Sequence, residues 1–197
     1  NNFYTATIYE KGAELINMLH KLVGPKAYKE TLDLYFERHD GEACTIEDWI
    51  KVFEDNNEID LKQFKLWYEQ AGTPIVTVQE SFKNSQYILK FKQTLNNKTN
   101  EPMLIPISVG LLNKKGEEVL ETNLLTLSER EQEFTFNNIK TKPIPSILRD
   151  FSAPIIINYK TTDEQNAFLL QYDTNEFNKW EAGQKLARSS IIQTILE

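Results

Sequence analysis

One cysteine, two histidines and seven glycines in 197 residues are scarcities that each exclude a class of protein. A lone thiol, Cys44, cannot form an internal disulfide, which removes the small secreted scaffolds that depend on cross-links. Two histidines and one thiol cannot furnish an ordinary structural zinc site without carboxylates, and neither His20 nor His39 stands in a metal-ligand spacing such as H-E-x-x-H. The glycines are scattered, so no Gly-rich loop is available to cradle a phosphate. No run approaches the ~20 apolar residues that cross a bilayer. Residues 1–20 carry Glu10, Lys11 and Glu14 where a secretory signal needs an apolar centre.

Basic residues are outnumbered by acidic ones, 22 to 29, and the deficit is concentrated in residues 1–72, which hold 8 basic and 14 acidic side chains. Proteins that grip nucleic acid or an anionic membrane non-specifically need the opposite balance, so neither partner is expected. With no targeting signal and a single thiol, the cytoplasm is the expected compartment. What is present is a composition 40% apolar, enough for a folded core, in a length that fits two domains or parts of domains.

Hydrophobic spacing divides the chain. Leu15, Met18, Leu19, Leu22 and Val23 recur at three and four and predict a helix that stops at Gly24-Pro25, where Pro25 suits the first turn of a second. That second helix runs to Asp40-Gly41. Thr45 with Asp48 has the spacing of a capping pair for a third, and Asp60 is expected to cap a fourth that ends at Gly72-Thr73-Pro74. Short runs follow at 75–78, 87–91, 104–109, 134–136 and 153–159, with a hairpin loop at Asn113–Gly116. They predict a β-sandwich over about 75–160 in which Pro106 marks an edge or bulge. Helical spacing returns from Asp163 to the end.

The residues alone nominate no catalytic centre. His20 and His39 read as packing or capping histidines, Cys44 as inert, and Glu47-Asp48, Glu54-Asp55 and Asp163-Glu164 as solvated carboxylates at helix starts and on polar faces. Lys114-Lys115 is explained by its turn, and the sequon Asn97-Lys98-Thr99 has no use without secretion. Tyr4 and Tyr9 would pass for core or interface aromatics.

The opening stretch, residues 1–14 with Tyr9-Glu10-Lys11-Gly12 at its centre, resembles the segment that follows the zinc motif in the aminopeptidase N family. Residues 33–41, 67–74, 150–154 and 177–182 resemble later parts of its bacterial branch in the same order. The resemblance implies a multidomain α+β architecture: 1–72 as the helical end of a thermolysin-like catalytic domain, 75–173 as a β-sandwich, and 174–197 as the first helix of an all-α domain. It implies a zinc aminopeptidase that removes N-terminal residues from peptide substrates. In it Tyr9 stabilises the tetrahedral oxyanion, and Tyr4 lines the pocket for the substrate's first side chain. The zinc motif, its later glutamate and the exopeptidase motif do not occur in this sequence. The expectation is therefore an internal fragment, without zinc of its own and inactive alone, that packs against other parts of its chain. The competing reading is a non-enzymatic binding or scaffold module using Trp49, Trp67 and Trp180 as anchors, although their helical spacing points to core packing.

Overall fold

A computed structural model describes residues 8–95 and 101–196. The helices come first: α1 (Gly12–Val23), α2 (Pro25–His39), α3 (Ile46–Asn57) and α4 (Lys62–Glu69). The expected capping box at α3 is present, Thr45 Oγ1 accepting from Asp48 N–H at 3.2 Å and Asp48 Oδ2 accepting from Thr45 N–H at 2.8 Å. At α4, Leu61 holds the cap position, and Asp60 stands one residue early, taking the Lys62 N–H at 2.8 Å. Helices α2 and α3 are stitched by the buried Thr31 hydroxyl, which accepts from Asn56 and Asn57 amides at 3.0 Å each.

The sandwich is built from β1 (Ile75–Lys83), β2 (Gln86–Thr94), β3 (Ile105–Leu112), β4 (Glu118–Leu127), β5 (Glu131–Phe136), β6 (Ile144–Ile147) and β7 (Ile156–Asn158). One sheet has the order β5-β2-β1-β7 and the other β4-β3-β6. Strands β1 and β2 pair in register across Asn84-Ser85, both in left-handed backbone, as a two-residue hairpin with right-handed strand twist requires. β3 is buried along its whole length between β4 and β6.

Several expectations are corrected here. Pro106 lies on this central strand, yet β6 pairs only with Val109–Leu112. The side of β3 on which Ser108 N–H finds Ser152 Oγ, at 2.9 Å, is free of a partner strand at Pro106, so its missing donor costs no ladder bond. The strand expected over 153–159 shrinks to β7, because Ile155 N–H turns back to Ala153 O at 2.9 Å before the chain extends. β7 pairs in parallel with β1, Ile75 opposite Ile156. β4 and β6 add strands that hydrophobic alternation did not mark.

After the sandwich come α5 (Asp163–Tyr172) and α6 (Glu176–Leu196). Thr162 and Gln165 form a reciprocal capping box at α5, with distances of 3.2 and 3.0 Å. Thr162→Ala should cost about 1 kcal/mol, read as a lowered midpoint in urea denaturation with an unchanged slope. An unchanged midpoint would show that α5 is held by packing alone. The β3–β4 hairpin tip rests on the end of α5. Gly116, at φ +84°, has the Tyr172 ring 2.6 Å from where a Cβ would stand, so only glycine fits.

One continuous core joins helices and sandwich: Leu15, Met18, Ile50, Phe53, Phe64 and Trp67 pack with Val76, Phe91, Ile107 and Leu127. A polar knot ties the sandwich to the last helices. Arg149 is 1% exposed, and its guanidinium bonds Ser146 Oγ (2.9 Å), Thr122 Oγ1 (2.8 Å), Glu118 Oε1 (2.6 Å) and Asp173 Oδ1 (3.1 Å). Its neighbours Leu148, Asp150 and Phe151 all have positive φ, a costly backbone that turns this one arginine inward.

Candidate functional site

Residues 8–11 form a π-helical turn that runs straight into α1. Lys11 already has helical dihedrals, φ −65° and ψ −37°, so the helix needs no side-chain cap at Gly12. Such i→i+5 turns are rare and concentrate at functional sites, because they re-aim side chains relative to a regular helix. On this turn stands Tyr9, 71% exposed. Tyr4 lies outside the described residues, as does the sequon Asn97-Lys98-Thr99.

The turn is moored two residues beyond Tyr9. Lys11 Nζ donates to Gly72 O at 3.2 Å and lies 5.9 Å from the centroid of the Trp67 ring. Trp67 is buried and donates from Nε1 to Leu104 O at 2.8 Å, which anchors α4 to the strand that begins at Ile105. Between the turn and the sandwich runs an open groove of about 550 Å³, walled by Glu10, Lys11 and Glu14 on one side and Phe151, Pro154 and Ile155 on the other. A second groove of about 380 Å³, between the sandwich and α5–α6, holds none of the candidate residues.

The other candidates are occupied structurally. His20 meets Tyr28 edge to face at 4.9 Å, and His39 lies 3.6 Å from Glu42 beside the Tyr35 ring. Cys44 is half-buried, its Sγ 3.8 Å from Glu42 O. The carboxylates expected to be merely solvated include several with fixed partners. Backbone and hydroxyl bonds from Thr45 hold Asp48 below its ordinary pKa; Lys51 and then Arg38 do the same for Asp55. Glu54 accepts from Leu61 N–H at 3.1 Å, and Asp163 from Ser189 Oγ at 3.0 Å. Trp67 is core and Trp49 packs against Phe53, but Trp180 is 57% exposed, contrary to the packing expected of it.

Among the described residues no three His, Cys, Asp or Glu side chains converge to hold a metal ion. With both histidines turned to aromatic neighbours, the donor set here does not fit a zinc site. Two residues with evident work escaped the sequence reading. Lys11 was part of a motif but its partner Gly72 is 61 residues away. Arg149 stands beside Asp150 in the sequence, and nothing there marks its partners Glu118 and Asp173, 31 and 24 residues away.

Comparisons with known proteins divide the chain in the same order. Residues 1–68 match the peptidase family M1 domain, 72–160 a domain of unknown function with an Ig-like fold, and 163–197 a domain of unknown function with ARM repeats. Aminopeptidase N of Escherichia coli (strain K12) is 39% identical over 204 residues, which take in 97% of this chain and 23% of the relative. Aminopeptidase N of Caulobacter vibrioides is 40% identical over 198 residues, 98% of this chain and 23% of the relative. The crystal structure of Legionella pneumophila aminopeptidase A in complex with aspartic acid superposes with a TM-score of 0.91 at 35% identity, covering 98% of this chain and 22% of that one. The chain thus spans somewhat less than a quarter of the length of these relatives.

Proposed function

The chain belongs to the aminopeptidase N family of the M1 zinc metallopeptidases, and on that footing we propose that it is part of an enzyme that removes N-terminal amino acids from peptides. The zinc of that enzyme is held by residues outside this chain. Within the chain, 1–72 completes the catalytic domain, 75–173 is the sandwich and 174–197 opens the helical domain. Tyr4 is assigned to the pocket for the first side chain of the substrate, and the whole protein to the cytoplasm. Among the described residues no helix is long and apolar enough to cross a membrane.

The observation that carries this reading is the mounting of Tyr9: an exposed phenol on a π-helical turn, in the family's Tyr-Glu-Lys-Gly sequence, moored to the start of the sandwich. When water adds to a peptide carbonyl, an electron pair moves onto the carbonyl oxygen, and the Tyr9 O–H donates to it. A donor fixed in advance stabilises that charge without reorganising at the moment of reaction. Exposed apolar side chains, Ile8 and Ile16 at one end and Ile191, Ile192 and Ile195 on α6, are covered in the whole protein by its other parts. The binding-module reading gains nothing from Trp67, which is committed to the core.

The test compares the whole protein with the 197-residue chain on an aminoacyl chromogenic substrate. The whole protein should release the chromophore, and the chain alone should not exceed a zinc-only control. Turnover by the pure chain would overturn the placement of the metal elsewhere, and a whole protein without turnover would overturn the reading itself.

A further inference from the structure

We propose that Lys11 is a positioning residue: its ammonium clamps the π-helical turn to the Gly72 carbonyl and the Trp67 ring, and so fixes where Tyr9 points. This rests on the role proposed for Tyr9. Tyr9 is 71% exposed and so is not held in place by core packing. Among the described residues, the hydrogen bond that ties this turn to a distant part of the chain is the one from Lys11. Its Nζ donates at 3.2 Å to a carbonyl 61 residues away. No carboxylate of the described residues lies within ion-pair distance of it, although Glu10 and Glu14 line the same groove.

The two partners of Lys11 differ: Trp67 is buried in the core, and Gly72 lies in an exposed bend just before Pro74 and β1. Trp67 is buried and bonded to Leu104 O at 2.8 Å. Gly72 sits at φ +105° with Leu95 Cδ1 3.3 Å from where a Cβ would be, so its carbonyl direction is set by a conformation that other residues rarely adopt. A lysine over a tryptophan face gains cation–π attraction, and a charged donor strengthens the bond to a carbonyl. Together they transmit the position of the sandwich junction to a side chain two residues away. The sandwich, on this account, does more than separate two helical regions: it supplies the fixed point against which the phenol is aimed.

The test is a double-mutant cycle in the whole protein with Lys11→Met, Tyr9→Phe and the pair. Methionine keeps the stem over the ring and removes the charge. Lys11→Met should lower kcat by about tenfold with KM little changed, since misplacing a catalytic group by a fraction of an ångström is enough. Lys11→Arg, which can both donate and stack, should restore most of the rate. In the Tyr9→Phe background, Lys11→Met should change nothing further, because there is no phenol left to aim. An unchanged kcat in Lys11→Met, or the same loss in both backgrounds, overturns the positioning role; the latter result would mean that Lys11 only stabilises the fold. An unchanged kcat in Tyr9→Phe alone overturns the reading of Tyr9, and the aiming of it with it.

Discussion

Tyr9→Phe in the whole protein should lower kcat by about 10²–10³-fold, the loss that follows removal of one oxyanion donor, about 2.7–4 kcal/mol. KM should hardly move, because the bond forms as charge develops and is weak in the ground state. The substitution removes one oxygen from a side chain that is exposed and carries no core packing. Stability should therefore stay within about 0.5 kcal/mol of the parent, and the lost rate cannot be blamed on unfolding. Steady-state kinetics with a thermal melt on the same preparation decides the matter. A Tyr9→Phe enzyme that keeps the parent's kcat would remove this residue from the chemistry.

Arg149→Met should destabilise the chain by about 3–5 kcal/mol, the cost of leaving a buried opposite charge without its partner. Asp173 has no exposed side-chain surface, and its Oδ2 has no hydrogen bond, so it depends on the guanidinium and the Asn175 N–H at its other oxygen. At this chain length the loss corresponds to roughly 6–20 °C in Tm. Gly110→Ala tests the same knot from below, because a Cβ there would stand 2.1 Å from Arg149 Cζ. Each change should be severe alone. The pair should cost less than the sum, since methionine vacates the space the new methyl needs. Glu118, also bound to this arginine, is held below its usual pKa by the Thr174 hydroxyl first and by Arg149 as well. A carboxylate lowered in the folded state adds stability above its unfolded pKa and loses it as pH falls through the folded one. The parent should thus lose more stability on acidification than Arg149→Met does. Urea titrations at neutral and acid pH measure both effects; an Arg149→Met chain as stable as its parent would show the knot to be dispensable.

Helices were the legible part of this fold, because each buries one face and its apolar spacing survives in the sequence at Leu15-Met18-Leu19 and Ile50-Phe53. Strand legibility depended on position in the sheet. β3, buried throughout, reads as an apolar run, whereas β4 is an edge strand with Glu118, Glu121 and Asn123 between its apolar residues and so looks like loop. β6 has four residues, one of them Pro145, which is too short for alternation to register. At the candidate site the sequence pointed to Tyr9 only through resemblance. Composition and spacing cannot distinguish an exposed tyrosine that reacts from one that packs. The bond from Lys11 to Gly72 and the convergence on Arg149 were illegible for a further reason: they join segments far apart in the chain, and single-residue patterns carry no information about such pairs.

The parallel pairing of β1 with β7 makes the assembly of the protein a matter of timing. Thr77 and its neighbour Asn158 are 81 residues apart. At synthesis rates of about 5–20 residues per second, β1 emerges roughly 4–16 s before the strand that completes its sheet. During that interval its outer edge presents unpaired N–H and C=O groups to any other extended chain nearby. Helices α1–α4 are finished by then and can already cover the apolar face of the growing sandwich, but they cannot occupy its edge. Crowding on a polysome, where several copies reach this stage together, is therefore the condition under which the chain is most exposed to pairing with itself.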